Sequence, residues 1–357
     1  MSEEVQGEST VPPGDQEPQE LSFEFSGSGG EYFRIWIVNI CLTIVTLGIY
    51  SAWAKVRTKQ YFYGNTKLDG TSFRYHAKPT RILIGRLIAV AVFGLYMGAG
   101  MINPFLGLAV LGALMVAMPW VINRSLAFNA RMSSWREIRF DFQGSYGESF
   151  LAFFLYPFLV PFSLGLALPF SLSRQEACIV NNSKFGTTGF RFSGTASTYY
   201  KPALVTVIGS VAVMVFGIIF AAILGVAISG ESGESTEAVG SILGLLPFIG
   251  FILVGAYVRA FLFRAKFQNS SLSSFRFGSG LKTREFLAVF LGNTVLVVLT
   301  LGLFLPWAKV RMARCLVNSL TVRGQADTGE FIQAEKENVS AAGEAIGEAF
   351  DFDIAPV

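Results

Sequence analysis

A chain of 357 residues that is 52% hydrophobic, 14% aromatic and only 15% charged lacks the polar surface to coat a soluble globule of its size, which points to an integral membrane protein. The net charge of +3 gives no ground for a nucleic-acid partner, because the basic residues lie in loops between apolar runs, where orientation in the bilayer accounts for them. Cys41, Cys178 and Cys315 sit in or beside apolar segments, which argues against a disulfide framework and for small buried thiols.

Residues 1–20 are rich in Glu, Pro and Gln, without a basic or apolar region of the signal-peptide kind, and are expected to form a disordered acidic tail. Leu21-Ser22-Phe23-Glu24-Phe25 then alternates like a short strand. The signature returns at Phe73-Arg74-Tyr75, at 138–142, at Phe190-Arg191-Phe192 and at Phe275-Arg276-Phe277. Each copy lies beside an apolar segment, so pairing into a small β-hairpin layer at the cytoplasmic surface would satisfy their edges.

Residues 31–57 recur at 148–174 and 285–311. Thr46-Leu47-Gly48, Ser163-Leu164-Gly165 and Thr300-Leu301-Gly302 fall in register, and 11 of 27 positions are identical between the first and third copies. This is an internal repeat: unit 1 over 21–137, unit 2 over 138–274 and a half-unit over 275–324. Ser28 to Glu31 and Ser145 to Glu148 match S-x-x-E, a helix start. The Leu-Gly step, followed by Pro169 or Pro306 in the later copies, interrupts that helix. Four further apolar runs, 82–102, 105–122, 203–228 and 239–258, are long enough to span about 30 Å of hydrocarbon. Residues 325–357 read as an acidic cytoplasmic tail.

The expected fold is mainly α: a polytopic membrane protein with four clear transmembrane helices and three broken or re-entrant core segments. Five loop regions hold 25 of the 28 basic residues, whereas 229–238 has none and carries Glu231, Glu234 and Glu237. Segments that re-enter put all 25 on the cytoplasmic side with both termini; segments that span strand two basic loops outside. The charge count favours re-entry, although about 20 apolar residues ordinarily read as a span.

The stretch 46–76, TLGIYSAWAKVRTKQYFYGNTKLDGTSFRYH, resembles the YjgN family of bacterial inner-membrane proteins. With the repeats and the acidic ending at 350–353, the likeness covers nearly all of the chain after the first tail. It implies an inner-membrane location and no assigned activity, so no catalytic residue is carried across. The second copy lacks the Trp and Lys of the motif, with Phe170-Ser171-Leu172-Ser173-Arg174 in their place.

Glu31, Glu148 and Glu285 share one repeat position, where helix capping accounts for at least the first two. Lys55, Arg57, Arg174, Lys309 and Arg311 serve as orientation signals or contact anionic headgroups. Asn39 and Asn293 join helices or line a polar path. Trp53 and Trp307 read as interface residues, and Gly48 and Gly302 as helix breaks. His76 is the sole histidine, and the chain has no H-E-x-x-H, C-x-x-C, G-x-S-x-G or P-loop. No cofactor or metal is expected, and enzymatic activity is disfavoured. Two readings stay open: a transport or permeation protein, built on repeated broken segments, and a non-catalytic membrane scaffold or envelope-integrity factor contacting anionic lipid. A homo-oligomer is compatible with either.

Overall fold

The computed structural model describes residues 19–228, 246–324 and 328–351. The N-terminal tail, the acidic loop and the beginning of the fourth apolar run fall outside these residues. Ten strands form one closed antiparallel barrel. They are β1 Gln19–Phe25, β2 Thr66–Leu68, β3 Thr71–Tyr75, β4 Ser133–Trp135, β5 Ile138–Phe142, β6 Ser183–Phe185, β7 Thr188–Phe192, β8 Ser270–Leu272, β9 Phe275–Ser279 and β10 Leu320–Gly324. Each strand pairs with the next in sequence, and β1 closes on β10, with Leu21 opposite Val322, and on β2, with Phe23 opposite Leu68.

Tight turns join β2 to β3, β4 to β5, β6 to β7 and β8 to β9. The first holds Asp69 and Gly70 at φ 50° and 69°, the twist that a two-residue hairpin requires. The intervening connections are helical: α1 Gly29–Val45 and α2 Ser51–Gly64; α3 Pro79–Ile102 and α4 Pro104–Arg131; α5 Tyr146–Phe162 and α6 Leu168–Asn181; α7 Ala196–Ile228 and α8 Leu246–Gln268; α9 Thr283–Leu299 and α10 Leu305–Val317. Successive connections of an antiparallel meander leave from opposite rims. The helical pairs take every second one, so all five start and end at the same rim.

The pairs also touch side by side, α2 on α3, α4 on α5, α6 on α7, α8 on α9 and α10 on α1, which closes a ring above the barrel. The five junctions repeat one hydrogen bond. The amides of Ser26, His76, Gln143, Ser193 and Gly280 donate to the carbonyls of Asn65, Met132, Asn182, Asn269 and Ser319 at 2.8–2.9 Å. The chain is therefore a closed succession of five modules in which short and long helical pairs alternate along the sequence, so that two short pairs meet where α10 closes on α1.

The short pairs reverse at the repeated Leu-Gly step. Leu47, Leu164 and Leu301 have φ near 50°, and Gly48, Gly165 and Gly302 have φ 92°, 86° and 93°. Each Gly amide reaches back five residues, to Thr43, Val160 and Val297, the longer bond of a Schellman C-cap. The three leucines are 94%, 94% and 95% exposed, so each tip is an apolar point with no protein cover. At 1.5 Å per residue, the 14 residues of α2 and the 13 of α10 reach about 20 Å, short of the hydrocarbon thickness.

Two expectations are overturned here. The strands do not lie as a hairpin layer but close into a barrel, because the first and last strands pair across the whole chain. Instead of four clear spans, three helices among the described residues are long and apolar enough to cross a membrane: Pro79–Ile102, Pro104–Arg131 and Ala196–Phe220. Of the fourth run, 239–258, only the part from 246 on is described, and beyond it α8 continues into a basic segment with Arg259, Arg264 and Lys266 as it descends to β8.

Candidate functional site

The barrel interior follows from strand alternation. In β1, Leu21, Phe23 and Phe25 face inward, whereas Ser22 and Glu24 are exposed, as a period of two dictates. The second strand of each hairpin places a phenylalanine at one level: Phe73, Phe140, Phe190 and Phe277, with Phe23 of β1 completing the ring. Ring centroids lie 6.1 Å apart for Phe23 and Phe73, 6.4 Å for Phe73 and Phe140, and 5.9 Å for Phe190 and Phe277. Towards the turns, a second layer is formed by Leu68, Trp135, Phe185, Leu272 and Val322.

These layers enclose a cavity of about 250 Å³ whose lining is entirely Leu, Val, Phe and Trp. A cavity of about 500 Å³ adjoins it at the helical rim and shares Phe73, Phe140, Phe190 and Phe277. Here polar groups enter the wall, including Asn129, Ser133, Ser183 and Lys266. Lys266 pairs with Glu176 at 2.7 Å, joining α8 to α6.

At the opposite rim the barrel is capped by the C-terminal helix, α11 Thr328–Asp351. Phe331 packs on Phe185 and Phe275, with centroids at 6.5 and 5.1 Å, and Ile332 joins the barrel core. Glu335 is 2% exposed. Its carboxylate accepts from the Thr187 amide and, at 2.8 Å, from the Thr188 hydroxyl. Gly186 has φ 60°, and a Cβ there would collide with the Glu335 side chain. Lys336 reaches Glu137 at 3.2 Å. The helix thus lies over two hairpin turns and closes the distal mouth.

The repeat residues have scattered roles. Glu31 and Glu148 open helices whose amides donate to Ser28 and Ser145 at 3.3 and 3.2 Å. Their carboxylates accept from Tyr61 and Asn182, and Glu285 pairs with Lys282 at 3.3 Å. Asn293 is buried and donates to the Ala308 carbonyl at 3.0 Å, tying α9 to α10. Asn39 is equally buried, and its Oδ1, like that of Asn293, finds no partner among the described residues. Trp53 stacks on Tyr50 at 6.0 Å. Trp307 reaches into the next module, stacking on Phe33 at 4.8 Å over Gly29, where no Cβ fits.

Arg57 lies over Tyr50 and Arg174 over Phe170 at 5.8 and 5.1 Å. Arg311 instead faces a lateral cleft, and Lys55 and Lys309 are exposed. None of these repeat residues lines the axial cavities. On the outer wall, burial would raise the Asp141 carboxyl, but hydrogen bonds from Arg131, Gln143 and the Phe142 amide hold it below its ordinary value.

The Phe ring and the docking residues of α11 were not singled out in the sequence. The ring had a signal, since an inward Phe recurs in each of the alternating segments. The plug had none, because Phe331, Ile332 and Glu335 lie in a stretch that reads as an acidic tail. Among the described residues, no cluster of His, Cys, Asp or Glu is placed to hold a metal.

Three long helices apolar on every side, joined to a closed barrel with an aromatic core, define an integral membrane protein. The chain belongs to a family described as bacterial protein of unknown function (DUF898), whose model matches residues 20–349. It is similar to inner membrane protein YjgN of Salmonella typhimurium, 27% identical over 87% of this chain and 91% of that protein. It also matches the YjgN proteins of Escherichia coli O157:H7 and K12, at 34% and 32% identity over 40% of this chain and 36% of each of theirs. No solved structure matches.

Proposed function

We propose that the protein is a multi-pass transport protein of the bacterial inner membrane, with the barrel axis as its path. The barrel and both termini lie on the cytoplasmic side, the Phe ring is the constriction, and α11 is a removable plug. The observation that carries this reading is the stacking of a closed helical ring, an aromatic constriction and a terminal helix along one axis. Hydrophobic constrictions gate by excluding water, and the lower cavity, lined by Leu, Val, Phe and Trp alone, favours a solute with an apolar body. The orientation is supported by the distribution of basic residues: the strands and helix bases around one rim carry most of them, and the positive-inside rule puts that rim in the cytoplasm. In this topology α3, α4 and α7 cross, whereas the three short pairs dip in and return.

The scaffold reading draws on a different observation: α3 and α7 have no polar face that would line water among themselves. Flux separates the two. Full-length protein in liposomes holding a thallium-quenched dye should be tight. A variant that undocks the plug and wets the ring (Phe331→Ala, Glu335→Ala, Phe73→Ser, Phe140→Ser) should admit thallium. A folded variant that stays as tight as the parent would eliminate the axial path and leave the scaffold.

A further inference from the structure

The fifth module differs from the other four on its outer wall. The strand position that points outward just beyond the ring Phe is Glu24, Arg74, Asp141 or Arg191 elsewhere and Gly278 here. Two residues on, Ser26, His76, Gln143 or Ser193 is replaced by Gly280. Without those side chains, a cleft of about 1100 Å³ opens between β9, β10 and the bases of α9 and α10.

Its charge is one-sided. Arg276, Lys282, Arg311, Arg314 and Arg323 face it, against Glu20 and Glu285. Glu20 is taken by Arg323 at 3.1 Å and Glu285 by Lys282 at 3.3 Å. Arg314 donates to the Gly27 carbonyl at 2.8 Å. Arg276 and Arg311 have no hydrogen-bond, ion-pair or aromatic partner among the described residues, unlike Arg57 and Arg174, which rest on rings at the positions equivalent to Arg311. The neutral polar side chains of Asn318, Ser319 and Thr321 complete the wall.

We infer that this cleft binds a phosphate group through Arg276 and Arg311. Planar guanidinium groups match phosphate oxygens two at a time, and neither Arg276 nor Arg311 has a carboxylate partner among the described residues. The cleft is located where the helices meet the barrel. The cleft ends upward at Val289 of α9, whose next turns carry the exposed Val295 and Val298 on an adjoining apolar face. A phospholipid with its headgroup in the cleft would have its chains against that face, and a free phosphate or phosphate ester would use the same arginines. This site is off the axis, so it does not depend on the permeation reading.

The test uses full-length protein in neutral detergent, following melting temperature and equilibrium binding with phosphatidylglycerol, phosphatidylcholine and inorganic phosphate at constant ionic strength. The parent should be stabilised by phosphatidylglycerol over phosphatidylcholine, or by inorganic phosphate. A response to the lipid alone identifies a headgroup site, and a response to both identifies a site for phosphate itself. Arg276→Gln with Arg311→Gln should weaken binding at least about tenfold, the loss of one charge-assisted hydrogen bond or more. Gly278→Asp, which restores the residue type found at position 141, should do the same by filling and neutralising the floor, while Arg57→Gln should leave binding unchanged. A parent that responds to neither probe, or variants that bind as the parent does, would overturn the inference.

Discussion

Removal of the Glu335 carboxylate should release the C-terminal helix without unfolding the barrel. Among the described residues, Glu335 is the buried charge of α11, and it accepts from the Thr187 amide and the Thr188 hydroxyl. Charge-assisted hydrogen bonds contribute about 1.5–3 kcal/mol each. Both donors regain water once the helix lifts, so Glu335→Ala should cost about 2 kcal/mol of docking, roughly a 30-fold rise in the open population. Phe331 and Ile332 remain, so the helix is loosened rather than lost. The ten strands pair with one another without α11, so the global melting transition should move little. Hydrogen exchange over 331–339 should therefore accelerate about 30-fold while the strand amides stay protected. Gly186→Ala should act in the same direction, since it combines a positive φ with a collision against Glu335. Unchanged exchange over 331–339 in both variants would refute the assignment of Glu335 as the anchor.

Gly48→Val and Gly302→Val should each reduce stability in detergent by about 1 kcal/mol or more, because φ of 92° and 93° excludes β-branched residues; equal thermal stability of both variants and parent would count against the tip geometry. Trp307→Ala should destabilise by about 2–3 kcal/mol through its lost stack on Phe33 across the ring closure. Trp53→Ala, losing a contact with Tyr50 within its own module, should cost less in the same melting assay. The Asp141 carboxyl is held below its ordinary value of 3.8, so its contribution is complete above that pH and is lost as pH falls through the folded value. With side chains 56% and 23% exposed, the Arg131 to Asp141 pair should be worth no more than about 1 kcal/mol. The melting difference between parent and Asp141→Asn should thus shrink below about pH 4.

Local features were legible in the sequence, and closure was not. The alternation at Phe23, Phe73, Phe140, Phe190 and Phe277 marks the inward faces of five strands, and Ser28 and Ser145 mark helix starts by their capping chemistry. The first strand of each hairpin, such as Thr66–Leu68 or Ser270–Leu272, is only three residues long. It carries too little pattern to announce itself, so these four strands are faint in the sequence. Closure depends on β1 meeting β10 some 300 positions away, a pairing no local periodicity encodes. The three core segments read equally as spans because their first arms are as apolar as spans. What distinguishes them is the Leu-Gly reversal and the length of the returning arm. The basic repeat residues stand out by their spacing, yet of them Arg311 lines the large lateral cleft and Arg174 only a small pocket beside Glu148; cleft formation is decided by the glycines at 278 and 280.

The same-rim arrangement of all five helical pairs is tested most directly by site-selective cysteine labelling in intact cells, in a background without Cys41, Cys178 and Cys315. Single cysteines at Lys67, Lys184 and Ser273, all on barrel hairpins, should resist a membrane-impermeant maleimide until the cells are opened. Asn103, at the tip between α3 and α4, should react from outside. Labelling of position 184 or 273 in intact cells would place part of the barrel on the far side of the membrane and contradict the account.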